Sequence, residues 1–318
     1  MKVVLVCLFG VVAASSAVAG FVWHNTGVMD EIVVDVPAML RTVQWFMAFS
    51  FLHLAARSTP WTPMPSPEES RKGPSFTSWT VKFCNRACAF VHAAVCTVWA
   101  LYSLHTLFLD RRDARSNALL PYTLAKNPDD DFLLFGVVEF TLGYAVYDFI
   151  YMMMREQDTL FMLHHLAMFL CFIPTLFFPS GFVIIVVGIA IAEITNPLLL
   201  PWMWSKDNAK RKDIPREDRA KHKARYQWLS GPLTLSYVIA RGIVMPLSLL
   251  DVARALFWEG HMTPVTVWIW FYCCAGFLGS LLWIKSLVSG YLRMAFRKMP
   301  TEGSSPTSAK ERTRKKAD

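Results

Sequence analysis

The chain has 318 residues, of which 54% are hydrophobic and 18% charged, with a formal net charge of +8. An ordinary soluble domain carries about 25% charged residues, and the mean hydropathy here is +0.34. These values exclude a disordered or fibrous chain and argue against a soluble globular one.

The apolar residues come in runs near the roughly 20 residues that cross a bilayer core of about 30 Å. Eight such segments follow in chain order: 3–23, 37–55, 83–109, 132–154, 158–178, 180–202, 229–250 and 263–290. The first is ambiguous. Lys2, the apolar stretch from Val3 to Ala14 and Ala17-Val18-Ala19 before Gly20 match a cleavable signal peptide over 1–19, and an uncleaved first span fits equally. The second is the weakest, because it carries Arg41 and His53. Residues 1–55 are thus N-terminal membrane segments. Residues 56–78 hold Pro60, Pro63, Pro65, Pro67 and Pro74 and are expected to form an extended linker. The remaining six segments, over 79–292, are expected to form a compact bundle, and 293–318 a basic, disordered tail. The predicted fold class is an all-α integral membrane protein: six transmembrane helices after one or two N-terminal membrane segments.

Lysine and arginine mark the cytosolic loops of membrane proteins. The tail after the last segment holds eight of them, and the stretch from Ser205 to Trp228 holds nine. If both are cytosolic, alternation also brings the proline-rich linker and Arg155 inside. The connections left outside then carry no Lys or Arg, except the 110–131 loop, where four are set against five Asp. The C-terminus is therefore expected in the cytosol. The positive charge reports this topology, and nucleic acid is not an expected partner. The seven cysteines all lie in apolar runs, so neither a disulfide framework nor a zinc cluster is legible, and no metal is predicted.

Ionisable residues inside a span are costly and face the bundle interior. At 1.5 Å per residue, His164 and His165 lie about 10 Å in from the cytosolic side and Asp148 about 9 Å. Glu193 lies at about 13 Å, Asn196 at about 9 Å, His92 at about 13 Å and Arg241 at about 18 Å. Five spans thus bring polar groups into one half of the membrane, with Glu139 and His105 as the main exceptions. Each residue has a structural alternative. Adjacent histidines point about 100° apart on a helix, so both cannot face one spot. They are either interhelical hydrogen-bonding groups or a reactive pair. Arg241 could pair with Glu193, and Asp148 could orient a histidine or pair with Arg241. Trp202 and Trp204 read as an interfacial belt. The chemistry of the layer suits general-base catalysis by histidine, with asparagine or arginine stabilising an oxyanion. The chain has neither a G-x-S-x-G elbow nor an H-E-x-x-H motif, which disfavours serine hydrolases and zinc proteases.

From about Trp79 to Arg293 the chain resembles the TLC-domain proteins. That superfamily includes ceramide synthases, translocating-chain-associating membrane proteins and an endoplasmic-reticulum cargo receptor lost in neuronal ceroid lipofuscinosis. Trp79, Asn85-Arg86 and His92-Ala93 resemble its opening span; Gly143-Tyr144, Asp148 and His164-His165 its central block. Glu193, Thr195-Asn196-Pro197 and Trp202 resemble the next block of members outside the ceramide synthases, and Arg241 followed by Pro246 the penultimate span. The resemblance implies a six-helix bundle around a lipid-accessible cavity. It carries the paired histidines onto His164 and His165, and the shared depth of the polar groups makes Asp148 their orienting partner. His92, Glu193, Asn196 and Arg241 are then substrate-binding. The second acidic–histidine element of the ceramide synthases has no counterpart in Ile191-Ala192-Glu193-Ile194-Thr195-Asn196-Pro197. Two functions follow: acyl transfer with acyl-CoA as co-substrate and no other cofactor, or a non-catalytic lipid sensor or trafficking receptor. Lys315-Lys316-Ala317-Asp318 resembles a dilysine retrieval signal. It implies coat machinery as a partner and residence in the endoplasmic-reticulum membrane. A membrane lipid or acyl chain is the other expected partner, and homo-oligomerisation stays open.

Overall fold

A computed structural model of the chain describes residues 35–58, 79–110, 120, 122, 132–154, 159–178, 180–260 and 262–297. The predicted signal segment, most of the proline-rich linker and the tail with Lys315 and Lys316 lie outside the described residues.

Helix α1 spans Val36–Ser58, α2 Trp79–Asp110 and α3 Phe132–Met154. Helix α4, Thr159–Phe172, ends in a 3₁₀ turn over Ile173–Leu176, where Pro174 removes a backbone donor. Helices α5 (Phe182–Glu193) and α6 (Asn196–Asn208) are two pieces of one rod. Helix α7 (Arg216–Tyr237) passes through a π turn at Val238–Val244 into α8 (Met245–Ala253) and a second π turn at Arg254–Trp258. Helix α9 spans Pro264–Arg297. No strand occurs among the described residues.

Among the described residues, five rods are long and apolar enough to cross a membrane: Thr80–Leu109, Leu133–Met154, Phe182–Asn208, Arg216–Trp258 and Pro264–Phe296. A sixth apolar helix, His164–Leu176, is shorter. The protein is therefore an all-α membrane protein. Five of the six segments expected from residue 79 onward fall on helices long enough to span, and the remaining one, 158–178, falls on the shorter helix.

Helix α3 is the central rod, buried along most of its apolar length, whereas α9 leaves most of its surface open. The core joins Val137, Val138 and Phe140 of α3 to Phe182–Val187 of α5. Helix α1 does not stand apart from this bundle. It packs along α3 and α2 and buries Ala38, Thr42 and Phe49. Gly143 makes the close approach possible: a Cβ there would sit 2.5 Å from the Trp45 Cβ and 2.9 Å from the Thr42 carbonyl oxygen. The two groups that make this segment the weakest in the sequence are satisfied by the bundle. Arg41 Nε and Nη2 donate to the Glu139 carboxylate at 2.7 and 2.8 Å. His53 Nδ1 lies 2.6 Å from the Tyr147 hydroxyl.

The basic stretch expected as a loop from Ser205 to Trp228 is mostly helical. Helix α6 runs on to Asn208, and α7 begins at Arg216. Glu217 and Asp218 in the first turn favour the positive end of the helix dipole. Lys221 pairs with both, at 3.0 and 3.3 Å. A helix polar on all sides has no apolar period to read, so its start was invisible in the sequence. In the short connection, Arg211 Nε donates to Asp213 at 3.0 Å. This guanidinium holds the Asp213 carboxyl below its ordinary range.

Candidate functional site

The polar residues of the bundle converge where α2, α3, α4, the α5–α6 junction and the π turn meet. Asp148, on α3, is buried. Its Oδ2 lies 3.1 Å from His165 Nε2 on α4. Its Oδ1 accepts from Asn85 Nδ2 on α2 at 3.0 Å. Asn85 Oδ1 in turn accepts from the Tyr147 hydroxyl at 3.0 Å. Asp148 therefore meets a histidine and does not pair with Arg241.

The two neighbouring histidines have different surroundings, as their divergence on a helix requires. His165 is buried, 4% exposed, while His164 is exposed. Their rings meet edge to face with centroids 5.6 Å apart, and His164 lies 6.0 Å from the Trp283 ring of α9. His164 is thus open although it lies between α4 and α9, whose Gly276 and Gly279 have no neighbour within 4 Å of a built Cβ.

His92, 2% exposed, stacks on Tyr144 with centroids 4.0 Å apart and planes 11° from parallel. Its Nδ1 is 3.7 Å from Glu193 Oε2, too long for a hydrogen bond. Its Nε2 is buried without a partner among the described residues. Asn196 Nδ2 donates to Glu193 Oε2 at 2.8 Å. Glu193, Thr195 and Asn196 meet at the α5–α6 break, where Pro197 lacks the N–H that would continue the helical ladder.

That break also explains Arg241. Its Nη2 donates to the Ala192 carbonyl at 2.8 Å, which also accepts from Thr195 Oγ1 at 3.0 Å, and to Thr195 Oγ1 at 3.3 Å. The guanidinium lies 4.7 Å above the Tyr237 ring. Its Nε is buried and has no hydrogen-bond partner. The pairing with Glu193 left open by the sequence does not form; Arg241 is held by main chain, hydroxyl and ring. The π turn that carries it precedes Pro246, whose ring and missing N–H disrupt the ladder at Gly242.

The structure therefore groups the candidate site residues around two adjoining clusters. Asp148 and His165 form one, with His164 beside it. His92, Glu193 and Asn196 form the other, flanked by Arg241. Among the described residues, no three of His, Cys, Asp and Glu converge to hold a metal ion. Sequence reasoning missed Tyr147, His53 and Trp283, and did not assign Asn85 to the site. Asn85 could have been found: it lies seven residues, two turns, before His92 on the same helical face. His53 had no such signal, because only tertiary packing brings α1 to α3.

No curated protein and no solved structure matches this chain. The family model described as the TLC domain matches residues 82–288, well over half of the chain. Helix α1, with Arg41 and His53, precedes the matched stretch. With an all-helical membrane bundle and this match over α2 to α9, the chain belongs to the TLC-domain family.

Proposed function

We propose that this TLC-domain protein acts in membrane lipid homeostasis in the endoplasmic reticulum, holding a lipid or acyl chain between its helices and transferring an acyl group from acyl-CoA to a lipid acceptor. The observation that carries this reading is the 3.1 Å contact of buried Asp148 with His165, beside the open ring of His164. A buried carboxylate fixes the ring orientation and tautomer of the histidine it binds. The neighbouring accessible ring is the one an acceptor can reach.

In this reading His164 is the catalytic base, and His165 and Asp148 position it. The His164 imidazole takes the proton from an acceptor hydroxyl or amine. The oxygen or nitrogen forms a bond to the thioester carbonyl carbon, the carbon–sulfur bond breaks, and the CoA thiolate recovers the proton. Arg241 and Asn196 lie in the adjoining cluster and face the head group or the developing oxyanion, with His92 and Glu193 lining the same side.

A second reading is a non-catalytic lipid sensor or trafficking receptor. It draws on Arg241 and Asn196 already being engaged by the chain's own acceptors. The basic ends of α6 and α7 would then be its docking surface.

The test uses microsomes bearing wild type, His164→Ala or His165→Ala, each given labelled acyl-CoA with a panel of sphingoid bases and lysolipids. Mass spectrometry should find a new acylated lipid that His164→Ala lowers by about 10²- to 10⁴-fold, as loss of a general base does. No product at equal protein abundance would refute acyl transfer and leave the sensor or receptor reading.

A further inference from the structure

Three hydrogen bonds and one imidazole–carboxylate contact join α1 to His165. His53 Nδ1 lies 2.6 Å from the Tyr147 hydroxyl. Tyr147 donates to Asn85 Oδ1 at 3.0 Å, Asn85 Nδ2 donates to Asp148 Oδ1 at 3.0 Å, and Asp148 Oδ2 meets His165 Nε2 at 3.1 Å. The direction of the chain follows from the donors available. An ionised carboxylate only accepts, so Asn85 presents its amide N–H to Asp148 and its carbonyl to Tyr147. Tyr147 has a single proton and spends it on Asn85. Its oxygen can then only accept from His53, so His53 carries its proton on Nδ1. Every donor in the series points toward Asp148, and His165 Nε2 meets the carboxylate from the other side.

We propose that α1 is part of the functional site and that His53 is a positioning residue for His165, acting through Tyr147, Asn85 and Asp148. This rests on the reading of the Asp148–His165 pair given above. Holding α1 in place does not require the relay. Arg41 already binds Glu139 through two hydrogen bonds, and Gly143 lets the helix backbones meet. A hydrogen bond between membrane helices contributes little to stability on average. The relay instead determines orientation. With Oδ1 of Asp148 occupied by Asn85, only Oδ2 is directed at His165, and the carboxylate cannot turn without breaking the whole series. The helix that starts the series lies before the stretch matched by the TLC domain, so this control belongs to the N-terminal segment of this chain.

The test uses the full-length protein in nanodiscs, labelled with diethyl pyrocarbonate and read by peptide mass spectrometry. Labelling of His165 is normalised to that of His222, on the polar part of α7. His53→Phe removes the donor and keeps an apolar ring. Tyr147→Phe removes one oxygen. Either should raise His165 labelling by about threefold, on the scale of one lost hydrogen bond. His53→Asn, whose amide nitrogen stands near the position of Nδ1, should restore the wild-type value. Thermal midpoints of all variants are measured alongside, since a purely structural role would lower stability without separating the Asn variant from the Phe variant. Unchanged labelling in both Phe variants, or equal labelling in His53→Phe and His53→Asn, would overturn the proposal. The readout needs no acyl-CoA, so failed acyl transfer with altered labelling removes only the activity, and the converse removes only the relay.

Discussion

Arg241 illustrates how a charge becomes tolerable at membrane depth. A guanidinium in hydrocarbon needs acceptors, and a regular helix offers none, because each carbonyl is used four residues later. The α5–α6 break interrupts that pattern, and Arg241 Nη2 meets the Ala192 carbonyl there at 2.8 Å, beside the Thr195 hydroxyl that donates to the same carbonyl at 3.0 Å. The two residues are 49 apart in the chain, so this is a tertiary solution to two local defects. Arg241→Gln should lose the guanidinium's shared hold on the Ala192 carbonyl, Thr195 and the Tyr237 ring, leave that carbonyl to the Thr195 hydroxyl, and lower stability by about 1–3 kcal/mol, measured by thermal unfolding in one detergent. Arg241→Lys should recover little of this, because a point ammonium cannot serve the carbonyl, Thr195 and the Tyr237 ring together. The residue was legible in the sequence as an intramembrane charge. Its partners were not, because opposite charges at similar depth suggested Glu193, while geometry assigned it to neutral acceptors.

At the scale of elements, α1 and α7 depart furthest from expectation. Helix α1 looked weak because Arg41 and His53 interrupt its apolar run, and each proves to be matched to a polar group on α3. Gly143 sets how closely the two helices approach. Gly143→Ala would place a methyl 2.9 Å from the Thr42 carbonyl oxygen and 3.0 Å from the Phe46 amide nitrogen. Those are backbone atoms that cannot rotate away, so α1 must shift. The expected cost is about 1–3 kcal/mol, as for other overpacked contacts, read as a lower thermal midpoint. Gly136→Ala is the comparison, since its methyl would meet the Trp99 ring, a side chain with rotamers to change. In α7, apolar periodicity located the buried half from Leu229 onward but not the charged turns from Arg216. Their helicity rests on i,i+3 and i,i+4 ion pairs and on acidic residues in the first turn, which leave no apolar trace.

For the whole molecule, the segregation of charge into the α6–α7 ends and the tail is the basis of the proposed cytosolic C-terminus and of retrieval through Lys315 and Lys316. Replacing both with serine should shift the protein from the endoplasmic reticulum to later membranes, followed by fluorescence microscopy of the tagged protein; unchanged location would remove the retrieval signal. The sequence by itself determined the class of the protein and its helical rods, and it placed Asp148, His164, His165, Glu193, Asn196 and Arg241 at one expected depth. Hydropathy acts over windows of about 20 residues and depth follows from a constant rise per residue, so neither needs a partner to be known. Tertiary structure alone decided which of those groups touch. It assigned Asp148 to His165 rather than to Arg241, left His164 open, and brought His53 of α1 into line with Tyr147 and Asn85. Those choices depend on rotation about each helix axis and on interhelical distances of a few ångströms, set by packing among residues far apart in the chain.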